Sequence, residues 1–172
     1  MSVLATARLE LRPITLDIVV AVLEGRRRTD IEKLVGAEMP WAWPGRALVE
    51  QAFRASLDAI RADPEKRLWG DRFMITRDEP RRVVGSVVFH GRPDAEGRCE
   101  IAYGVDEASQ NQGYGTEAVE AVVRWALEQP ECKIIEATTT PWHKASSRVL
   151  EKVGMKLVGK RGDLLLYEIR RD

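Results

Sequence analysis

The chain has 172 residues, with 27 Lys+Arg against 27 Asp+Glu, 44% hydrophobic side chains and two cysteines. That length fits one domain of about 100–200 residues, spanning 1–172, with a core of its own; the zero net charge leaves no overall electrostatic footprint for nucleic acid or an anionic membrane. Cys99 and Cys132 are too few and too isolated for a disulfide framework or a zinc site, and no apolar run nears the roughly 20 residues of a membrane span, so a metal-free protein of the reducing cytosol is expected.

The opening MSVLATARLELRP lacks the apolar block of a signal peptide. Within it Leu9 and Leu11 share one face and Arg8, Glu10 and Arg12 the other, which is strand alternation, ended by Pro13. Leu16, Val19, Val20 and Leu23 then recur at helical spacing behind Thr15, a suitable N-cap, and Arg26, Arg27 and Arg28 fall where cations suit a helix end. Two prolines and two tryptophans make GAEMPWAWPG, residues 36–45, a loop. Trp41 and Trp43 on that loop either line a substrate cleft or cover the core. Val49, Phe53, Leu57 and Ile60 mark a further helix, broken at Asp63-Pro64.

From Trp69 the period changes to that of strands: RFMITR, VVGSVVFH and CEIAYGV, separated by turn-rich stretches, read as an antiparallel meander. A helix from about Gly113 to Glu128 follows, then a β-branched strand (KIIEATTT), a helix from about Lys144 to Val153, and two short strands ending in LLLYEI. The fold class is therefore mixed α/β.

The most informative stretch is Gln110, Asn111, Gln112, Gly113, Tyr114, Gly115 and Thr116, between a strand and a helix that turns Ala118, Val119, Val122, Val123 and Ala126 inward. Glycines where a loop enters a helix let the backbone approach a ligand, and the free N–H groups of the first turn suit an anion such as a pyrophosphate. Three templates compete. A P-loop fails because no Lys follows the glycines. The dinucleotide fingerprint G-x-G-x-x-A is matched from Gly113 to Ala118, with Glu136 in place of the ribose acid, but seven residues separate Val105 from Gly113 and antiparallel strands precede it. The acyl-CoA pattern Gln/Arg-x-x-Gly-x-Gly/Ala is satisfied by Gln110 to Gly115.

At these residues the sequence resembles the GNAT superfamily of N-acetyltransferases, and other segments follow in the family's order. TARLELRPIT resembles the first strand, VVGSVVFH the third, CEIAYGVDEASQNQGYGTEAV the fourth strand with its pyrophosphate turn and helix, and HKASSRVLEKVGM the later Asn-x-x-Ser-x-x-Val-Leu-Glu-Lys-x-Gly-Phe segment. The resemblance is nearest to the RimJ/RimL-like branch. It implies a central, mostly antiparallel twisted sheet of about seven strands with flanking helices, the fourth and fifth strands splaying apart around acetyl-CoA. It also implies transfer of the acetyl group to a primary amine, either a protein N-terminal α-amine or a small molecule, by direct attack. Backbone groups of Tyr103, Gly104 and Val105 would pair with the pantetheine arm, and Gln110 to Thr116 would hold the pyrophosphate.

Glu100 points with the small residues Ala102 and Gly104, and in the resembling branch a Glu here is a candidate general base; a carboxylate paired across strands is the alternative. Many relatives protonate the departing thiolate with a Tyr, but that position is Leu150, which leaves Ser146, at the motif's Ser position, as the candidate acid. The family's Asn is His143, whose imidazole can make a similar bond to the cofactor. Lys144, Arg148, Lys152 and Lys156 recur every four residues. At least the first three form one basic helix face, either simply solvated or a stripe in which Lys152 meets the 3′-phosphate of CoA. A non-catalytic acyl-CoA sensor is the rival reading, supported by the missing Tyr and by His143. The resemblance allows a homodimer.

Overall fold

The computed structural model describes residues 2–40 and 46–171. The elements in chain order are β1 (Leu4–Ala5), β2 (Leu9–Pro13), α1 (Leu16–Leu23), α2 (Arg28–Val35), α3 (Arg46–Ala62), α4 (Pro64–Arg67), β3 (Arg72–Thr76), β4 (Val83–Phe89), β5 (Arg98–Val105), α5 (Tyr114–Glu128), β6 (Ile134–Thr139), α6 (Lys144–Lys152), β7 (Lys156–Arg161) and β8 (Leu164–Arg170). The strands form one eight-stranded sheet in the order β1-β2-β3-β4-β5-β6-β8-β7. Every neighbouring pair is antiparallel except β5 and β6, which run parallel. The mixed α/β fold with a mostly antiparallel sheet is as the sequence implies; the strand beyond about seven is β1, whose two residues are too short to carry a period.

Helices on both faces explain why β3 is buried along its whole length. On one face α5 lays Ala118, Val119, Val122, Val123 and Ala126 over Leu9, Leu11, Met74, Val84, Cys99 and Ile101, and Leu150 of α6 joins the same core. On the other face α1, α2 and α3 pack Val19, Val22, Ile31, Val35, Phe53 and Ile60 against Phe73, Ile75 and Val83. This alternation of inward residues is the period-2 signal of the strands meeting the 3.6-residue period of the helices.

The region after Leu23 differs from the sequence expectation. The arginine run is not the end of a long first helix: α1 closes at Glu24, Gly25 turns the chain with φ 64, and Arg28 opens α2, which ends on Gly36 in the left-handed region at φ 78. Each arginine has an acid beside it, Arg26 with Glu24, Arg27 with Asp30 and Arg28 with Glu32. The run is therefore neutralised locally. The helix expected to end near Val153 does so: α6 stops at Lys152, leaving Lys144, Arg148 and Lys152 on it, and Lys156 begins β7.

Strands β5 and β6 are paired only from Arg98 to Glu100, against Ile134 to Glu136. Beyond that point β6 keeps its register with β8 through Thr139, and β5 keeps its register with β4 through Val105. The two strands splay, and Glu100 stands at the vertex. Gly85 of β4 makes the close approach on the other side of β5 possible, since a Cβ there would lie 2.2 Å from the carbonyl oxygen of Gly104 and 3.1 Å from Met74 Sδ. Relief would require parting β4 from β5, so Gly85→Ala is expected to cost about 2–3 kcal/mol. The readout is a fall in Tm of roughly 4–12 °C in thermal unfolding, and an unchanged Tm would contradict this packing account.

Candidate active site

The splay leaves backbone groups of β5 without a strand partner, and the ladder on its far side says which. His90 N–H donates to Glu100 O and Asp106 N–H donates to Val84 O, so the even-numbered residues turn their amides and carbonyls to β4. Ile101, Tyr103 and Val105 turn theirs to the open side. The carbonyl of Val105 already accepts from Gln110 Nε2 at 3.1 Å, which ties the loop after β5 to the strand edge.

Asn111 and Gly113 both hold positive φ, 58° and 83°, and Gly113 caps α5 without a side-chain cap bond. The N–H groups of Tyr114, Gly115 and Thr116 therefore lack intrahelical acceptors and face outward as an anion site at the positive end of α5. Gly113 is required for its conformation. Gly115 is buried against β5, where a Cβ would meet Val105 Cγ2 at 3.4 Å and the Tyr103 ring at 3.8 Å, ordinary contact distances.

Open edge and turn meet in one cleft of about 520 Å³, a size usual for small-molecule sites, lined by Tyr103, Gly104, Val105, Gln110, Asn111, Gly113, Tyr114, Gly115, Thr116, His143, Ser146 and Lys152 among others. Of the expected cofactor residues only Gln112 is outside that lining, and it contributes its carbonyl to a contact with Arg8 instead. Arg148 lines the cleft with Lys152, whereas Lys144 does not. His143 precedes α6 as its N-cap and makes no side-chain cap bond. Trp41 and Trp43 lie outside the described residues.

The single Tyr103 hydroxyl proton has two alternative acceptors on Ser146, Oγ at 3.1 Å and the backbone carbonyl at 3.3 Å, and Ser146 Oγ can instead donate to the Tyr103 oxygen. Burial pushes the Tyr103 hydroxyl above its ordinary pKa, against the opposing effect of the Ser146 bond. A tyrosine therefore stands beside Ser146, delivered by β5. Leu150, where relatives carry a Tyr, is fully buried and belongs to the core under α5. The pairing of residues 43 apart in sequence is not legible without the fold.

Glu100 does not line the cleft. It projects from the face of β5 opposite Cys99 and Ile101, which pack under α5, beside Ala102 and Gly104, where a Cβ on Gly104 would meet nothing within 4 Å. Its Oε1 accepts from Thr138 Oγ1 at 3.1 Å and its Oε2 from Arg161 Nη1 at 2.7 Å, with His90 Nδ1 at 3.8 Å. Glu100, Glu136 and Glu168 stand in register on β5, β6 and β8. Three arginines separate these like charges: Arg161 bridges Glu100 and Glu136, Arg98 bridges Glu136 and Glu168, and Arg170 pairs with Glu168.

A splayed pair of strands whose open edge leads to an uncapped helix N-terminus can grip a long, phosphate-ended acyl carrier from one face and admit an acceptor from the other. Comparison with known proteins agrees. Residues 8–156 match the family model described as "Acetyltransferase (GNAT) domain", and the chain belongs to that family of N-acyltransferases. It is 28% identical over 165 residues, 95% of both chains, to the uncharacterized N-acetyltransferase YjdG of Bacillus subtilis. In structure it is similar to a GNAT-family acetyltransferase of Bacillus anthracis (TM-score 0.64, 22% identity, 99% of both chains). It is also similar to RimL, a ribosomal L7/L12 alpha-N-protein acetyltransferase solved with coenzyme A (TM-score 0.63, 15% identity, 99% of both chains).

Proposed function

We propose that the protein, as one domain over residues 1–172 and in a reducing cytosol, transfers an acetyl group from acetyl-CoA to the N-terminal α-amine of a peptide or protein. The observation that carries this reading is the continuity of the open β5 edge with the α5 turn in a single cleft. Tyr103 and Val105 amides and carbonyls would hold the pantetheine arm as an added strand would, the N–H groups of Tyr114 to Thr116 the pyrophosphate, and Arg148 or Lys152 the 3′-phosphate. When bound, acetyl-CoA supplies an activated thioester carbonyl.

The acceptor would approach from the Glu100 face, where Ala102 and Gly104 leave room. Attack needs a neutral nitrogen, and an α-amine, with a reference pKa near 8, reaches that state far more readily than Lys near 10.4. Glu100 would take the proton through water, held in place by Thr138 and Arg161. The outward N–H groups of Tyr103 or Val105 would meet the charge growing on the carbonyl oxygen. With the Tyr103 proton turned to Ser146 Oγ, the Ser146 proton is free for the departing sulfur, and Tyr103 backs the transfer.

The test is thiol release from acetyl-CoA across peptides with free N-termini, their N-blocked lysine-containing counterparts, polyamines and aminoglycosides. Turnover is expected with free N-termini and at least tenfold less with blocked peptides. Turnover confined to small amines would overturn the acceptor assignment, and CoA binding without turnover on any amine would overturn the activity.

A further inference from the structure

Arg8 lies 104 residues before Gln112 in sequence, yet its Nη1 donates to the Gln112 carbonyl at 2.7 Å. The same guanidinium reaches the first turn of α5: Nε and Nη2 both approach Glu117 Oε2 at 2.7 Å. Its Cζ sits 4.7 Å over the ring of Tyr114, and a Cβ on Gly113 would come within 3.2 Å of its Nη2. Glu117 is fixed from the same segment by the Thr6 hydroxyl (2.6 Å) and the Arg8 backbone N–H (2.8 Å), both to Oε1. One side chain therefore touches the Gln112 carbonyl of the turn and the first turn of the helix, and lies where a side chain on the capping glycine would project.

Two physical consequences follow. Gln110 to Gly113 is exposed and carries a non-glycine residue in the left-handed region, a conformation that costs free energy unless its surroundings hold it. Its remaining hydrogen bonds among the described residues are local, from Gln110 and Gln112 side chains to the carbonyls of Val105 and Ala108 and between near neighbours. Among the described residues the Arg8 contact ties the turn to an element remote in sequence, beside the Gln110 bond to the end of β5. Glu117 also places a carboxylate beside the anion site; although burial pushes it up, the bonds from Thr6 and Arg8 hold it below the ordinary carboxylate pKa, so its charge persists and Arg8 is what offsets it.

We propose that Arg8 is a positioning residue for the pyrophosphate of the acyl-CoA: its fork holds the Gln110–Gly113 turn in the anion-binding conformation and offsets the Glu117 carboxylate. This rests on acyl-CoA occupying the cleft. Because the action is on the turn and not on the strand edge, losing it weakens ligands that carry the pyrophosphate and spares those that do not. Because two acceptors at different angles are needed, a guanidinium suits the place and an ammonium does not.

The experiment measures equilibrium binding of CoA and of pantetheine, which lacks the pyrophosphate, by calorimetry on the wild-type chain, Arg8→Ala and Arg8→Lys, with Tm recorded for each. Arg8→Ala is expected to raise the CoA Kd roughly ten- to a hundredfold, the range for losing a charge-assisted contact, with the pantetheine Kd unchanged within about twofold. Arg8→Lys is expected to show most of the same loss. A CoA Kd unchanged in Arg8→Ala overturns the proposal, as does equal weakening of both ligands, the mark of a general structural role. Wild-type affinity in Arg8→Lys would mean that bare charge suffices and overturns the fork. If the wild-type chain binds pantetheine but gains nothing from the pyrophosphate of CoA, the cofactor assignment fails, and this inference with it.

Discussion

Glu100→Gln is expected to lower kcat/KM for the peptide acceptor by about 10²- to 10⁴-fold, the usual worth of a positioned general base, while leaving the affinity for CoA unchanged. The separation follows from the two faces of β5. Glu100 is outside the cleft that the cofactor would occupy, whereas Tyr103 and Val105, one and three residues beyond Ala102, turn their backbone groups into it. Glutamine keeps the volume, and its carbonyl can still accept from Thr138 or Arg161; Arg161 stays tied to Glu136 at 2.5 Å in either case. The fold is therefore preserved and the loss is chemical. Steady-state kinetics with acetyl-CoA and a free-N-terminus peptide, beside calorimetry with CoA, provide the check. Unchanged turnover would reduce Glu100 to a partner of Arg161 in a structural ion-pair ladder, and a matching loss of CoA affinity would contradict the division of labour between the faces.

The parts of this site that the sequence discloses are those governed by short-range rules. Gly113 and the amphipathic run from Ala118 to Ala126 announce an uncapped helix, and alternation along CEIAYGV already sends Glu100 and Tyr103 to opposite faces. The three-strand meander is likewise visible because its turns are rich in Gly, Pro and Asp. What stays hidden is set by distance along the chain. Arg8 meets Gln112 and Glu117, and Tyr103 meets Ser146, only because the sheet brings β2, β5, α5 and α6 together. Helix α2 was concealed for a local reason: Ile31 and Val35 are its buried residues, and the arginines before them resemble the end of one helix rather than the start of the next. Gly25 and Gly36, both at positive φ, are the signals that would have delimited it. Leu150 shows the limit of motif reading, since a missing tyrosine suggests lost chemistry and the packing shows a core leucine.

Asp71→Asn is expected to stabilise the protein at alkaline pH by as much as about 4 kcal/mol and to remove part of its pH dependence. Asp71, 2% exposed and immediately before β3, accepts the Phe89 N–H at 2.6 Å. Burial raises its pKa from 3.8 to about 7, against the opposing effects of the Phe89 amide and the charge of Arg67. A carboxyl whose pKa is higher in the folded state favours folding while it is protonated. That contribution is complete below about pH 4, falls steadily as the pH rises from there to about 7 because the unfolded chain ionises while the folded chain still holds the proton, and is fully lost above 7, where the folded chain carries a buried charge. Roughly three pKa units at 1.36 kcal/mol each set the upper figure. Asparagine keeps an oxygen for the Phe89 N–H and cannot ionise, so the variant behaves as the protonated wild type does at every pH. Urea unfolding of both chains between pH 4 and 8 isolates the effect, since all other titrations cancel in the difference. The variant should match or fall slightly below the wild type at pH 4, because its amide N–H groups need partners, should gain steadily between about pH 4 and 7, and should hold a constant advantage above that. A difference that stays constant across that window would show that Asp71 keeps an ordinary carboxylate pKa in the folded chain, and would locate elsewhere in the fold any acid that lowers stability between pH 4 and 7.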